Sequence, residues 1–460
     1  LKDASSAAIY GARAANGVIL VTTKVGKEGK LKIGYSGYIG IQKRTVTPDF
    51  IEAAEYATLM NEVLPNTYSD AQILAFKNGT DTDQYPNSDF VKSTLKNSAK
   101  QTAHNITISN GNANTQYLLS FGYLNQDGII AKNNFDRYNL RLNLTNNLSK
   151  KLKLTTRLNA IKSGDNQPAP PATLDFNDML TMIGQVIRFA PIYGIQQSNG
   201  DWGTGLSNKG TPVSYLNSDS FYKYKSTDLS ANTQLDWNIT DDLKFSVLGG
   251  YTQLNERSSR FLATQRLTST INLGPSSLTE LHANNHYKTF QAFADYKKSI
   301  KNHHFGVLAG YSFEAFGDES LSLSRSNLPS NSVTVIDAGD ASMQATSGTA
   351  SEWALESYFG RAQYNYDHKY LLEGAIRYDG SSRFPSSQKY SLFPSVAAGW
   401  RIGQENFIKD NYPWINELKI KASIGVLGNQ NIGNYPYQNA LSTGYNYAFG
   451  NTITSGVARN

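Results

Sequence analysis

Hydrophobic and polar residues alternate with a period of two along almost the whole chain, the spacing of strands with one apolar and one polar face. Across 30–42 the odd positions Leu31, Ile33, Tyr35, Gly37, Ile39 and Ile41 are mostly apolar, and Lys30, Lys32, Ser36 and Gln42 take the other side. Tyr138, Leu140, Leu142 and Leu144 alternate with Arg137, Asn139, Arg141, Asn143 and Thr145. Leu229, Leu235, Trp237 and Ile239 alternate with Ser230, Asn232, Gln234, Asp236 and Asn238. Comparable segments lie near 103–110, 115–125, 150–161, 242–252, 287–297, 304–314, 353–366, 370–379, 391–402 and 418–427. The pattern predicts about thirteen strands of ~8–14 residues. Ordinary strands have a mode near 5–6 residues, whereas a tilted membrane-spanning strand needs ~9–11.

The predicted connections alternate in length. Short polar turns fall at 147–151, 240–242, 299–302 and 367–369, and long loops at about 43–101, 163–227, 254–285 and 315–351. Short turns at one rim and long loops at the other are the layout of an outer-membrane barrel. A soluble sandwich or propeller is the rival, but keeps shorter strands and more even loops. The fold class expected is therefore all-β, an antiparallel transmembrane β-barrel. Aromatic residues near strand ends (Tyr35, Tyr123, Tyr138, Trp237, Tyr251, Tyr296, Tyr311, Tyr366, Tyr378 and Trp400) predict interfacial girdles. Two helices are expected within long loops, one running from Thr47-Pro48 through Ile51, Ala54, Tyr56 and Leu59, the other from Asp175 to Phe189.

Composition narrows the function classes. Lys plus Arg is 43 and Asp plus Glu 37, so the net charge of +6 over 460 residues argues against a dedicated nucleic-acid binder. Cysteine is absent, which excludes a disulfide scaffold, a zinc–cysteine site and a thiol nucleophile. No run approaches ~18 apolar residues, so no transmembrane helix is expected. The mean hydropathy of −0.44 does not argue against a barrel, whose strands show only alternate residues to lipid. The chain begins at Leu1 and stops at Asn460 within a Gly/Thr/Ser/Asn-rich stretch, and reads as an internal piece of a longer protein.

Residues 1–24 depart from the alternation. Ser5 to Lys24 reads as a small-residue helix, a turn at Asn16-Gly17 and an apolar buried strand from Val18 to Val21, with Gly11 as a helix C-cap. Neither GxGxxG nor GxxxxGK[ST] occurs, so phosphate binding is not expected. The segment resembles the end of the plug domain of TonB-dependent outer-membrane transporters of the SusC/RagA type. That plug closes with a YGxRxANGVIxxTTKxG pattern, matched by Tyr10, Gly11, Arg13, Ala15, Asn16, Gly17, Val18, Ile19, Thr22, Thr23, Lys24 and Gly26. Further family-like segments follow in order: Tyr123 to Ile130 with Arg137, Tyr358 to Arg361, Arg377 to Phe384 and Ser423 to Gln430. The resemblance implies residues 1–26 as the C-terminal end of a plug and 27–460 as the first part of the barrel, about thirteen of roughly 22 strands. The signal peptide, TonB box, most of the plug and the last strands of that pattern have no counterpart here.

The resemblance also implies a function: TonB-dependent import of a bulky nutrient, an oligosaccharide or peptide, across a Gram-negative outer membrane. The TonB–ExbB–ExbD complex would supply the energy and a SusD-like surface lipoprotein would help to capture substrate, with outer-membrane lipid around the barrel. A siderophore or vitamin receptor, a passive porin and a secreted β-rich glycan-binding module are the alternatives.

No catalytic, cofactor-binding or metal-binding residue is expected. His282 and His286 have i,i+4 spacing but no acidic partner motif, and read as solvated loop histidines. His303-His304 follows a short turn, and Asp241-Asp242 is itself a turn. No GxSxG elbow is present. Long loops such as Gln196 to Trp202 could hydrogen-bond sugars, although any exposed loop is polar.

Overall fold

The structure is a computed structural model that describes residues 19, 21, 23–169, 179–205, 208–438 and 441–459. Thirteen strands form one antiparallel meander in which each neighbour in the sheet is the next in the chain. They are β1 (Gly29–Lys43), β2 (Ser98–Gly111), β3 (Thr115–Asp127), β4 (Asn134–Asn147), β5 (Leu152–Pro168), β6 (Phe221–Asn238) and β7 (Leu243–Leu262). After them come β8 (Ser277–Ile300), β9 (His303–Ser326), β10 (Gln344–Tyr366), β11 (Tyr370–Ser381), β12 (Tyr390–Trp400) and β13 (Ile420–Gly425). Among the described residues β1 and β13 do not pair with each other, so the sheet is an open stretch of wall.

Unbroken register carries the alternation from strand to strand. Tyr35, Ile106, Phe121, Leu140, Ala160 and Leu229 face one another in succession on the outer face. On the inner face the row is Asn143, Arg157, Asn232, Gly250, Thr289 and Glu314. One face is apolar and the other polar, as a wall between lipid and a lumen requires.

The aromatic ring nearer the long loops gives the strand tilt. Tyr138 shares a pairing row with Lys162, Thr227 and Asn255, yet the ring residue of β7 is Tyr251, four positions nearer the short turns. Tyr251 in turn shares a row with Lys288, Ala315 and Ala354, and the ring residue of β10 is Tyr358, again four positions on. Four residues over three strands is ~13 Å against ~14 Å, so a level ring needs strands tilted by about 40°. Phe290, Tyr311 and Tyr378 complete this ring, and Trp237, Tyr296, Tyr366, Tyr370 and Trp400 lie towards the short-turn rim. Tyr35 and Tyr123 differ from expectation. Tyr123 and His104 lie in the row of Tyr138, which descends towards β1, and Tyr35 stacks on His104 from two positions lower, so they form an oblique file below the ring.

Several expectations need correction. β8 and β9 have 24 residues each and β10 has 23, so the loops expected at 254–285 and 315–351 shrink to 263–276 and 327–343. Beyond the ring apolar residues become sparse and gather at Phe221, Phe261 and Leu278 against Leu328, so the period vanishes while the hydrogen-bond ladder continues. His282 and His286 accordingly lie in β8, not in a loop. The first loop helix is Ala53–Val63, and Thr47-Pro48 precede it; Asn87 Oδ1 accepts from Ala53 N at 2.9 Å. The second is Met179–Arg188, and positions 175–178 of the expected span lie outside the described residues. The connection 401–419 is long although it joins strands at the short-turn rim, and 441–459 folds as a separate hairpin. Of the strand expected at 18–21, Val18 and Leu20 lie outside the described residues, and Ile19 and Val21 are exposed.

Candidate inner wall and loop layer

Residues 23–28 run outside any strand before entering β1, and they lie against the inner face of β2–β4. Asn143 is 3% exposed and hydrogen-bonds the backbone of Lys24, with Thr23 Oγ1 beside it. Gly26 passes so close to the wall that a Cβ there would sit 2.5 Å from the Tyr117 carbonyl oxygen. Thr23 and Lys24 are thus placed on the inner wall, whereas Tyr10, Gly11, Arg13, Asn16 and Gly17 lie outside the described residues.

A second inner-wall feature joins motifs that are far apart in sequence. Arg377 and Asp379 are 6% and 3% exposed, and Arg377 Nε donates to Asp379 Oδ1 at 2.6 Å. Arg377 Nη2 donates to Ser357 Oγ at 2.8 Å and Ser312 Oγ at 3.4 Å, and the guanidinium lies over the Phe359 ring. Tyr287 donates its hydroxyl to Glu314 on the neighbouring strand. Arg383 Nη1 donates to the carbonyls of Gln430 and Ile432 at 3.1 and 2.7 Å, and Asn434 Nδ2 donates to Ser351 Oγ at 3.0 Å. A charge removed from water must be paired and hydrogen-bonded, and Arg377 with Asp379 meets that condition, whereas Arg383 is held by two carbonyls with its Nε left without a hydrogen bond. The segments at 358–361, 377–384 and 423–430 therefore meet at one patch.

The long loops form a packed layer with cores of their own. Phe90, Val91, Val186 and Val213 make one cluster, to which Phe189, Tyr193 and Trp202 add. Ile130, Met182 and Leu216 make a second, and Tyr215, Leu267 and Leu273 a third. Polar links tie loop to loop. Asp83 accepts from Ser198 N and Oγ at 2.8 and 2.5 Å, Gln265 Nε2 donates to the Ser214 carbonyl at 2.7 Å, and Asn331 Nδ2 donates to Asp219 Oδ2 at 3.1 Å. The two hydrogen bonds from Ser198 hold the Asp83 carboxyl below the usual aspartate range, and burial pushes the Lys132 ammonium down. Sequence reasoning missed this layer because its apolar residues follow no period. The available signal was the isolated Phe90-Val91, Ile130 and Leu267 in otherwise polar loops.

The segment from Gln196 to Trp202 is a hairpin closed by a bridge between those two residues, and Trp202 packs into two of the clusters. Its ring is structural. A cavity of about 670 Å³ opens in the same layer, lined by Arg44, Phe50, Tyr56, Asp89, Arg188 and Phe189 among others. Aromatic faces beside fixed charges can bind a polar solute with apolar patches. At the other rim the rings of His304 and His368 stack at 4.3 Å. Among the described residues no three His, Cys, Asp or Glu side chains are grouped to hold a metal ion.

A family model described as TonB dependent receptor-like, beta-barrel matches residues 175–456. TonB-dependent receptor P26 of Formosa agariphila is 30% identical over 461 residues, and TonB-dependent receptor SusC of Bacteroides thetaiotaomicron is 29% identical over 472. These alignments cover 95% and 94% of this chain but 43% of each relative, so the chain spans less than half the length of either. Among solved structures, the RagAB peptide transporter superposes with a TM-score of 0.82 at 24% identity, over 100% of this chain and 54% of that one.

Proposed function

We propose that this chain, which belongs to the TonB-dependent receptor family and is of its SusC/RagA type, builds part of the wall of an importer for a bulky nutrient in the outer membrane. Residues 1–26 form the end of the plug and 27–460 the first part of the barrel. The single observation that carries the reading is the wall itself: an apolar outer face beneath an aromatic ring, and a polar inner face that holds residues 23–26. A strand-free segment seated on the lumen side speaks for a plugged transporter and against an open porin. The short-turn rim faces the periplasm and the loop layer faces outside.

A wide barrel has to be plugged to avoid leaking, and the outer membrane holds no ATP. Work to move the plug comes from the TonB–ExbB–ExbD complex. A SusD-like lipoprotein caps the loop layer, whose core gives it a firm surface to close against. The cargo is an oligosaccharide or peptide, which suits the mixed aromatic and charged lining at Tyr56, Phe50, Arg44 and Arg188. Deletion of the full gene should abolish growth on one oligosaccharide or peptide source. Growth defects confined to iron or cobalamin limitation would replace this cargo class with siderophores or vitamins.

A further inference from the structure

We propose that the outer face of β6–β8, just beyond the upper aromatic ring, seats the phosphorylated headgroup of an outer-leaflet glycolipid; this rests on the membrane orientation given above. Register puts Lys223, Lys225, Arg257 and Lys288 on the same face as the lipid-facing Leu229, Tyr251 and Phe290. Lys288 is two residues above Phe290, Lys225 four above Leu229 and Arg257 six above Tyr251. At ~3.3 Å per residue and the ~40° tilt, they stand roughly 5, 10 and 15 Å above the ring. That is the height of the headgroup layer and of sugars attached to it.

Cations outnumber carboxylates on the outward face of these extensions, four to one. Within the extensions of β6–β8, the outward carboxylate is Glu280, and it is already engaged by Arg257 at 2.7 Å. The nearest other outward acids, Asp136 on β4 and Glu319 on β9, flank the cations on either side. On this face a groove of about 770 Å³ is lined by Lys225, Arg257, Asn255, Asn284 and His282, with Glu319 on its far wall. Amide and imidazole groups beside cations are the chemistry that binds a phosphorylated sugar: the cations take the phosphate and the amides the hydroxyls. The site is continuous with the lipid-facing band, so its natural occupant is a lipid headgroup already in the membrane.

The test uses the full-length receptor in phosphatidylcholine nanodiscs with added bis-phosphorylated lipid A, read by native mass spectrometry and titration. Removing a cation should weaken binding about fivefold, so K225Q/R257Q/K288Q should lose on the order of a hundredfold. Glu319→Gln should bind as tightly as wild type or tighter, and lipid A stripped of phosphate should bind weakly to every form. Should the triple variant fail to fold, Lys288→Gln alone should still show the fivefold loss. Triple-variant affinity within twofold of wild type, or equal binding of phosphate-free lipid A, overturns the seat. If a cysteine at Ser330 labels from outside while the triple variant binds normally, this proposal falls and the orientation stands. If Ser330 labels only from inside, both fall.

Discussion

Asn143, on the inner face of β4, donates from Nδ2 to the Lys24 carbonyl oxygen at 2.6 Å across 119 residues of sequence. The contact pins the segment that leaves the lumen to the third strand beyond the one it enters. A buried hydrogen bond of this kind is worth about 0.5–1.5 kcal/mol. Asn143→Ala should therefore raise deuterium exchange of residues 23–28 by roughly two- to tenfold while the full-length barrel keeps its heat-modifiable band. Unchanged protection would mean that the segment is held elsewhere.

Gly26 tests the same seat sterically. Its neighbour is the backbone of Tyr117, which cannot swing away as a side chain can. Gly26→Val should displace the segment and make cells permeable to a large antibiotic that the wild-type receptor excludes. Wild-type resistance together with normal exchange at 23–28 would reject a sealing role.

Facing within β4 gives a contrast in bilayer folding. Leu142 lies in the outer-face row with Leu119 and Leu158, and Asn139 faces the lumen. An arginine facing lipid near mid-membrane costs ~2–4 kcal/mol and one in the lumen far less. Leu142→Arg should lower folding into lipid vesicles much more than Asn139→Arg; equal losses would mean that both faces are buried or both wet.

Sidedness follows from strand alternation. Ser299 lies beside the short turn after β8, and Ser330 in the loop 327–343. Cysteines at these positions in the full-length protein should differ on intact cells, with only Ser330Cys reacting with an impermeant reagent, because the two rims are on opposite sides of the membrane. Labelling at both would refute the orientation.

The loop layer carries a pH signature. The Asp83 carboxyl is held below its usual pKa by Ser198, so its contribution is present above the ordinary aspartate range and lost as pH falls through the lower folded value. Protease resistance of the loops should be flat from about pH 5 to 8 and fall only below ~4. Asp83→Ala should lose resistance at neutral pH. A neutral-pH profile identical to wild type would show that the Asp83–Ser198 link does not hold the two loops together.

The sequence by itself determined the wall. Period-two alternation in segments such as 137–145 and 229–239 marks both the strands and their faces, because lipid on one side and water on the other act on each residue independently of its neighbours in space. It also marked the turns at 147–151, 240–242 and 367–369, where polar residues can reverse the chain with little local cost. The oblique stack of Tyr35 with His104 and Tyr123, the convergence of Arg377 with Ser312 and Ser357, the seat of Lys24 on Asn143 and the shared core of Ile130, Met182 and Leu216 were decided only by the tertiary structure. Each depends on which strands or loops become neighbours and on how far tilt shifts one against the next. Those are properties of the assembled sheet, and a residue's own position in the chain carries no trace of them.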